Sequence, residues 1–115
     1  MGISPSVKER IKSSVQQSSD LYMMNKEQIF LFLAELAAIS DELADLSYEN
    51  DLAIAEKEKE VIGAEYQTKV SASMMSHLIK DAIAPYVAEK EWIKNQLNLV
   101  NSLRISALSA QRSSE

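Results

Sequence analysis

Counted in sevens from Ile29, the apolar residues fall on two lines: Ile29, Leu36 and Leu43 on one, Phe32, Ile39 and Leu46 on the other. These are the a and d positions of helices wound around one another. Phe30, Leu33 and Ala37 widen the stripe, which predicts first turns buried from more than one side. Asn25 stands where an N-cap belongs, with Gln28 three residues on in a capping-box arrangement. After Leu46 the seam weakens. Asn50 and Lys57 take one line and Ala53 and Glu60 the other, while Ile54, Val61, Ile62, Tyr66 and Val70 recur in a shifted register. Asn50 either fixes the register of a seam or, with Asp51, marks a break between two helices. Gly63 is tolerable inside a helix at a cost of about 1 kcal/mol. The pattern predicts one long acidic helix over 25–70, about 60 Å long if unbroken.

Around it stand weaker elements. Ser4 and Pro5 read as N-cap and N1. Val7, Ile11 and Val15 then make a narrow stripe flanked by serines, a helix stable only when docked. A joint with Leu21, Tyr22, Met23 and Met24, apolar enough to be buried, closes this N-terminal unit of residues 1–24. A second joint at 71–73, with Ser71 or Ser73 as N-cap, opens a short helix over 73–84 that carries Met74, Leu78 and Ile83. Pro85 disfavours helical geometry at Ala84, so a kink or a fresh start is expected there. The last helix, 85–111, carries Tyr86, Ile93, Leu97, Val100 and Ala107 on one face, with Trp92, Leu99 and Leu103 beside it. Arg104 lies near that side, its stem packing and its head reaching an acidic group. Residues 109–115 are expected to fray. The whole reads as a single all-α domain: a long antiparallel helical hairpin or coiled-coil-like bundle with a short N-terminal helix. So long a stripe needs a hairpin partner or another chain, and the seam Ile29, Phe32, Leu36, Ile39, Leu43 and Leu46 is expected to join copies in a homo-oligomer.

Charge sharpens this picture. Residues 1–26 hold four basic and two acidic groups (+2), 27–65 two basic and eleven acidic (−9), and 66–115 six basic and four acidic (+2). Basic ends packing on an acidic middle follow, within or between chains. The alternating Lys57-Glu58-Lys59-Glu60 reads equally as a solvated face. There is no cysteine, so disulfides and thiolate metal sites are excluded. The most apolar window, 29–39, is too short to cross a bilayer, and the N-terminus has no apolar signal core, so a cytoplasmic location is expected.

Candidate chemistry is sparse. His77 is the only histidine, and with Asp81 alone near it no metal site forms. No phosphate-cradling glycine loop and no serine with a paired base is present, so neither catalysis nor a cofactor is expected. Glu42-Leu43-Ala44-Asp45 resembles the Glu-x-x-Asp motif of MazG-type nucleotide pyrophosphohydrolases, whose helical carboxylates hold Mg²⁺. That family also has an upstream Glu-x-x-Glu pair. Here Glu27 is followed three on by Phe30 and Glu35 by Ala38, so half of the motif is missing.

A second resemblance spans 32–112. A long charged helix, a polar joint, Leu78-Ile79-Lys80-Asp81, a Trp92-bearing helix (Ala88 to Leu97) and a basic ending (Leu103 to Arg112) follow one another as in small helical phage proteins, of which the UvsY-type recombination mediators are an example. The resemblance implies a ring-forming, non-enzymatic recombination or replication accessory that binds single-stranded DNA, a recombinase or a single-strand-binding protein. Glu58, Glu60 and Glu65 stand where that family carries cations, and an acidic rod repels phosphates. Contact with DNA would then fall to Lys90, Lys94, Arg104 and Arg112, with Trp92 or Tyr86 either stacking on bases or sitting in the core. Lys8, Arg10 and Lys12 are the other cations able to touch phosphates. The alternative is a helical inhibitor of a basic host protein, its acidic surface standing in for nucleic acid.

Overall fold

The computed structural model describes residues 5–66 and 70–113. They form α1 (Pro5–Gln17), a 3₁₀ segment (Ser18–Met23), α2 (Lys26–Tyr66) and α3 (Ala72–Ser113). No strand occurs among the described residues. The Ser4 cap and positions 67–69 of the helix expected over 25–70 lie outside them.

α2 and α3 form the main packed interface. Partners across it run in opposite directions: Asn50 meets Tyr86 and Asp51 meets Lys90, while Ala37 and Asp41 share a depression with Leu97 and Arg104. With 41 and 42 residues, each helix is about 60 Å long, and the molecule measures 67 × 21 × 17 Å. The long axis is therefore the hairpin itself. Local chemistry sets both starts. Asn25 Oδ1 accepts from the Gln28 N–H at 2.8 Å while Gln28 Oε1 accepts from the Asn25 N–H at 3.0 Å, a reciprocal box that satisfies two otherwise orphaned donors. Ser71 Oγ accepts the Met74 N–H at 3.2 Å, which makes Ser71 the cap of α3.

The core lies at one end. Val7 and Ile11 of α1, Leu21 of the 3₁₀ segment, the seam of α2 and Ile93, Val100, Leu103, Ala107 and Ala110 of α3 form one cluster. Each fully buried leucine or isoleucine there contributes about 1.5–3 kcal/mol. Arg10 fastens α1 across this end. Its guanidinium reaches Glu35 at 2.6 Å and Glu42 at 2.7 Å, two carboxylates a heptad apart. Lys8 Nζ sits 5.5 Å from the Trp92 ring centroid, a cation–π contact that adds to the docking. Because all three ionic groups of the clamp keep more than a third of their surface in water, screening limits its strength. Arg10→Ala is expected to cost about 0.5–1 kcal/mol, and Arg10→Lys to recover less than half, since an ammonium cannot span both carboxylates. Thermal melts of the two variants at low and high salt check this. Beyond Asn50 the hairpin has no third helix, and its inward residues, among them Ile54, Val61, Leu78 and Ile83, are only half-buried.

Several expectations need correction. Ile29, Phe32, Leu36, Ile39 and Leu43 are buried, with Leu46 half-buried, within a single chain. The seam is covered by α1 and α3 of the same chain. Helices over 73–84 and 85–111 are one: Pro85 lies inside α3. Its missing N–H and ring disturb the turn that begins at Asp81, but Asp81, Ala84 and Pro85 are all exposed. Water can serve the freed carbonyl while half-buried Ala82, Ile83 and Tyr86 hold both sides against α2. The long acidic helix likewise passes through Asn50 without a break. Residues 109–113 are helical, with Ala110 buried. In the N-terminal unit Ser14, not Val15, completes the inner face of α1, and Tyr22 and Met23 are exposed, while Leu21 is in the core and half-buried Met24 packs against it. Phe30 and Ala37 are exposed, so the first turns of α2 are covered on one side only.

Candidate interaction surfaces

At 100° per residue, the buried seam of α2 occupies one side of the helix; Phe30, Ala34, Tyr48 and Leu52 lie within about 30° of the opposite direction, and Leu31 and Ala38 lie on the flank, about 110–130° from the seam. They are not covered. Phe30 is 66% exposed, Leu31 60%, Tyr48 66% and Leu52 48%. A helix that is apolar on both sides ordinarily sits between two packed layers, yet α2 has one. Glu27, Asp41, Asp45, Glu49 and Glu56 share this outward half and are exposed. None of the five has an ion-pair partner among the described residues. The surface is thus two apolar patches joined by carboxylates. Phe30 and Tyr48, eighteen positions apart, stand about 27 Å from one another along the axis.

The expected nucleic-acid residues share a side of α3. Lys90, Lys94, Arg104 and Arg112 fall within an arc of about 80° and span about 33 Å of the helix. They are not equivalent. Lys90 is committed to Asp51 at 2.9 Å. Arg104, expected to reach a carboxylate, instead donates to Asn101 Oδ1 at 3.1 Å, a side-chain amide one turn back along its own helix. Lys94 and Arg112 are exposed and have no carboxylate partner among the described residues. Lys94 borders a depression of about 420 Å³ with Ser47, Val87 and Leu97. Arg104 borders another, of about 410 Å³, with Ala37 and Asp41. Trp92 and Tyr86 are half-buried. Trp92 carries Lys8 on its ring, and the Tyr86 carbonyl accepts from Asn50 Nδ2 at 2.8 Å. The cations of α1 are divided: Arg10 is held in its clamp, Lys8 is on the indole, and Lys12 is exposed.

The carboxylates of the Glu-x-x-Asp stretch part company. Glu42 turns inward to Arg10 and Asp45 points outward. Among the described residues, no three His, Cys, Asp or Glu side chains gather where they could hold a metal ion. His77 is exposed. No described helix is long and apolar enough to cross a membrane.

No protein-family model matches the sequence, and comparison with curated proteins and with solved structures finds no significant match. The chemistry of the surfaces is therefore what bears on function. The sequence holds a sign of the outward face of α2 that the seam obscures. Phe30, Ala34, Ala37 or Ala38, Tyr48, Leu52 and Ala55 recur at spacings of three, four or their sums, offset from the seam. Read as a widening of one stripe, they lose their separate meaning.

Proposed function

We propose that this chain is a non-enzymatic helical interaction protein, an adaptor or inhibitor that works by occupying a surface of another protein. One observation carries the reading: α2 is apolar on two opposite sides and its own fold covers one. Exposed large apolar residues scattered singly are ordinary, but two aromatics and two leucines along one side of one helix form the kind of patch that marks an interaction site. The surrounding carboxylates leave the face without affinity for phosphates and favour a basic partner. The test is capture from a nuclease-treated lysate of the source cells with wild type and with Phe30→Ser/Tyr48→Ser. The reading expects a partner that survives nuclease and is lost in the double variant. A catch that ignores the variant, or no catch, counts against it.

A second reading, the single-stranded DNA accessory of recombination, is favoured by the shared side of Lys94, Arg104 and Arg112, which lack carboxylate partners among the described residues. Three cations over a dozen or more ångströms each give weak, salt-steep binding. A labelled oligonucleotide at about 50 mM salt should then bind wild type and fail to bind Lys94→Glu/Arg104→Glu/Arg112→Glu. Absence of binding by wild type removes this reading and leaves the first untouched.

A further inference from the structure

We propose that the outward side of α2 receives a basic amphipathic α-helix, packed lengthwise between Phe30 and Leu52. This rests on the protein-binding reading above and adds the chemistry and shape of the partner.

The shape follows from the surface. It is a stretch of one helix, unbroken through Asn50, and the depression of about 410 Å³ that borders it at Ala37 and Asp41 is shared with α3. Ala34 and Ala38 lie between the bulky patches and let another backbone approach. A partner helix running along such a ridge meets it at intervals of three and four residues, the repeat of Phe30, Ala34, Ala38 and of Tyr48, Leu52.

The sign of the partner's charge follows from area and electrostatics together. A strip covering residues 27–56 is about 45 Å long and about 10 Å wide, or roughly 450 Å² on each side of an interface. The total, about 900 Å², falls short of the 1,200–2,000 Å² of stable specific complexes. Apolar contact on this strip alone does not hold two copies together. A second copy would also bring its own Glu27, Asp41, Asp45, Glu49 and Glu56 against the same five, like charges with cations only at the ends, Lys26 and Lys59. A helix with leucine or phenylalanine anchors at both ends and lysine or arginine between them meets no such repulsion. It finds apolar partners in Phe30 and Tyr48 and places cations opposite Asp41 and Asp45, which have no competing partner among the described residues. Small area with strong charge complementarity is the signature of a fast, reversible contact.

The probe is a labelled synthetic helical peptide of about 24 residues, matched in length to the stretch from Phe30 to Leu52, with a leucine stripe flanked by lysines. A control peptide has glutamate at every lysine. Anisotropy with the full chain is expected to give binding of micromolar order for the lysine peptide and at least about tenfold weaker binding for the glutamate peptide. Phe30→Ser/Tyr48→Ser keeps every charge and is expected to weaken the lysine peptide at least about tenfold. Amide shifts on peptide addition should map to the outward side of α2. Because both substituted residues are solvent-exposed, an unchanged melting temperature certifies the variant's fold. The proposal is overturned if the two peptides bind alike, if the double variant binds as wild type does, or if the lysine peptide fails to bind at about 100 µM. It is overturned in favour of a second copy if light scattering finds a dimer that the double variant dissociates. If lysate capture depends on Phe30 and Tyr48 but the captured protein presents no basic helix, this inference fails and the protein-binding reading stands.

Discussion

Leu36→Ala is expected to lower stability by about 3–4 kcal/mol, while Leu31→Ala, five residues earlier on the same helix, changes it by less than about 0.5 kcal/mol. Leu36 is 1% exposed and sits in the cluster that joins all four elements. Truncating it loses the transfer free energy of three carbons and leaves a cavity that two long rigid helices cannot close. Leu31 is 60% exposed and is not part of that cluster. For a chain of this size the first loss corresponds to a drop in melting temperature of about 12–25 °C, and the second is within error of zero. Urea and thermal denaturation followed by circular dichroism measure both. The pair decides which side of α2 is interior in solution. A Leu31→Ala cost that rivals Leu36→Ala would mean that the outward side is covered too, as it would be in a tight oligomer.

The seam is legible in the sequence because its signal is long and repeats with one period. Five of its six residues are the deepest apolar positions of α2. The capping box at Asn25 and the cap at Ser71 are legible because each needs only a side-chain oxygen at a fixed offset. Pro85 misleads for a definable reason. Local rules give the cost of proline in a helix as about 3 kcal/mol, but they do not count the packing on either side of it. Here Ala82, Ile83 and Tyr86 lie against α2 across the disturbed turn, and the capped start at Ser71 fixes the N-terminal segment. The same packing carries α2 through Asn50.

That one misreading propagates. With α3 cut at residue 84, no element of the chain matches α2 in length, and its stripe calls for a hairpin partner or another chain. With α3 whole, the two helices are 41 and 42 residues long, and α1 covers the end where the stripe is widest. The stripe is then buried within one chain, and its length alone no longer calls for a second copy. The balance of charge does the rest. Arg10 and Lys90 are spent on Glu35, Glu42 and Asp51, which realises within the chain the attraction of basic ends for an acidic middle. Of the carboxylates left over, Glu27, Asp41, Asp45, Glu49 and Glu56 sit on the outward half of α2.

Asn50 marks the place where the three-helix end gives way to the bare hairpin, and its substitution should have the second large effect. It is 5% exposed; its Nδ2 donates to the Tyr86 carbonyl at 2.8 Å, and its Oδ1 is buried without a hydrogen-bond partner. An unmet buried acceptor costs about 1–3 kcal/mol, so Asn50→Leu, close in volume, is expected to raise stability by about 1 kcal/mol. The gain would come with a loss of register discipline, because the amide-to-carbonyl bond ties one position of α2 to one position of α3. Disulfide trapping of cysteine pairs placed along the hairpin would show slipped pairings in Asn50→Leu and one pairing in wild type. Asn50→Asp tests the same site from the other direction. It removes the donor, sets a carboxylate against a carbonyl oxygen and buries a charge, at a cost of about 3 kcal/mol or more near neutrality. Burial raises the folded-state pKa of that new carboxyl above its unfolded value. Over the interval between the two, the folded form binds more protons than the unfolded one, so stability falls as pH rises. Relative to wild type, the deficit of Asn50→Asp should therefore shrink as pH is lowered toward about 4. A deficit that is constant across that range would mean that the introduced carboxylate stays ionised and hydrated in the folded chain, and that the hairpin opens at this point instead of burying it.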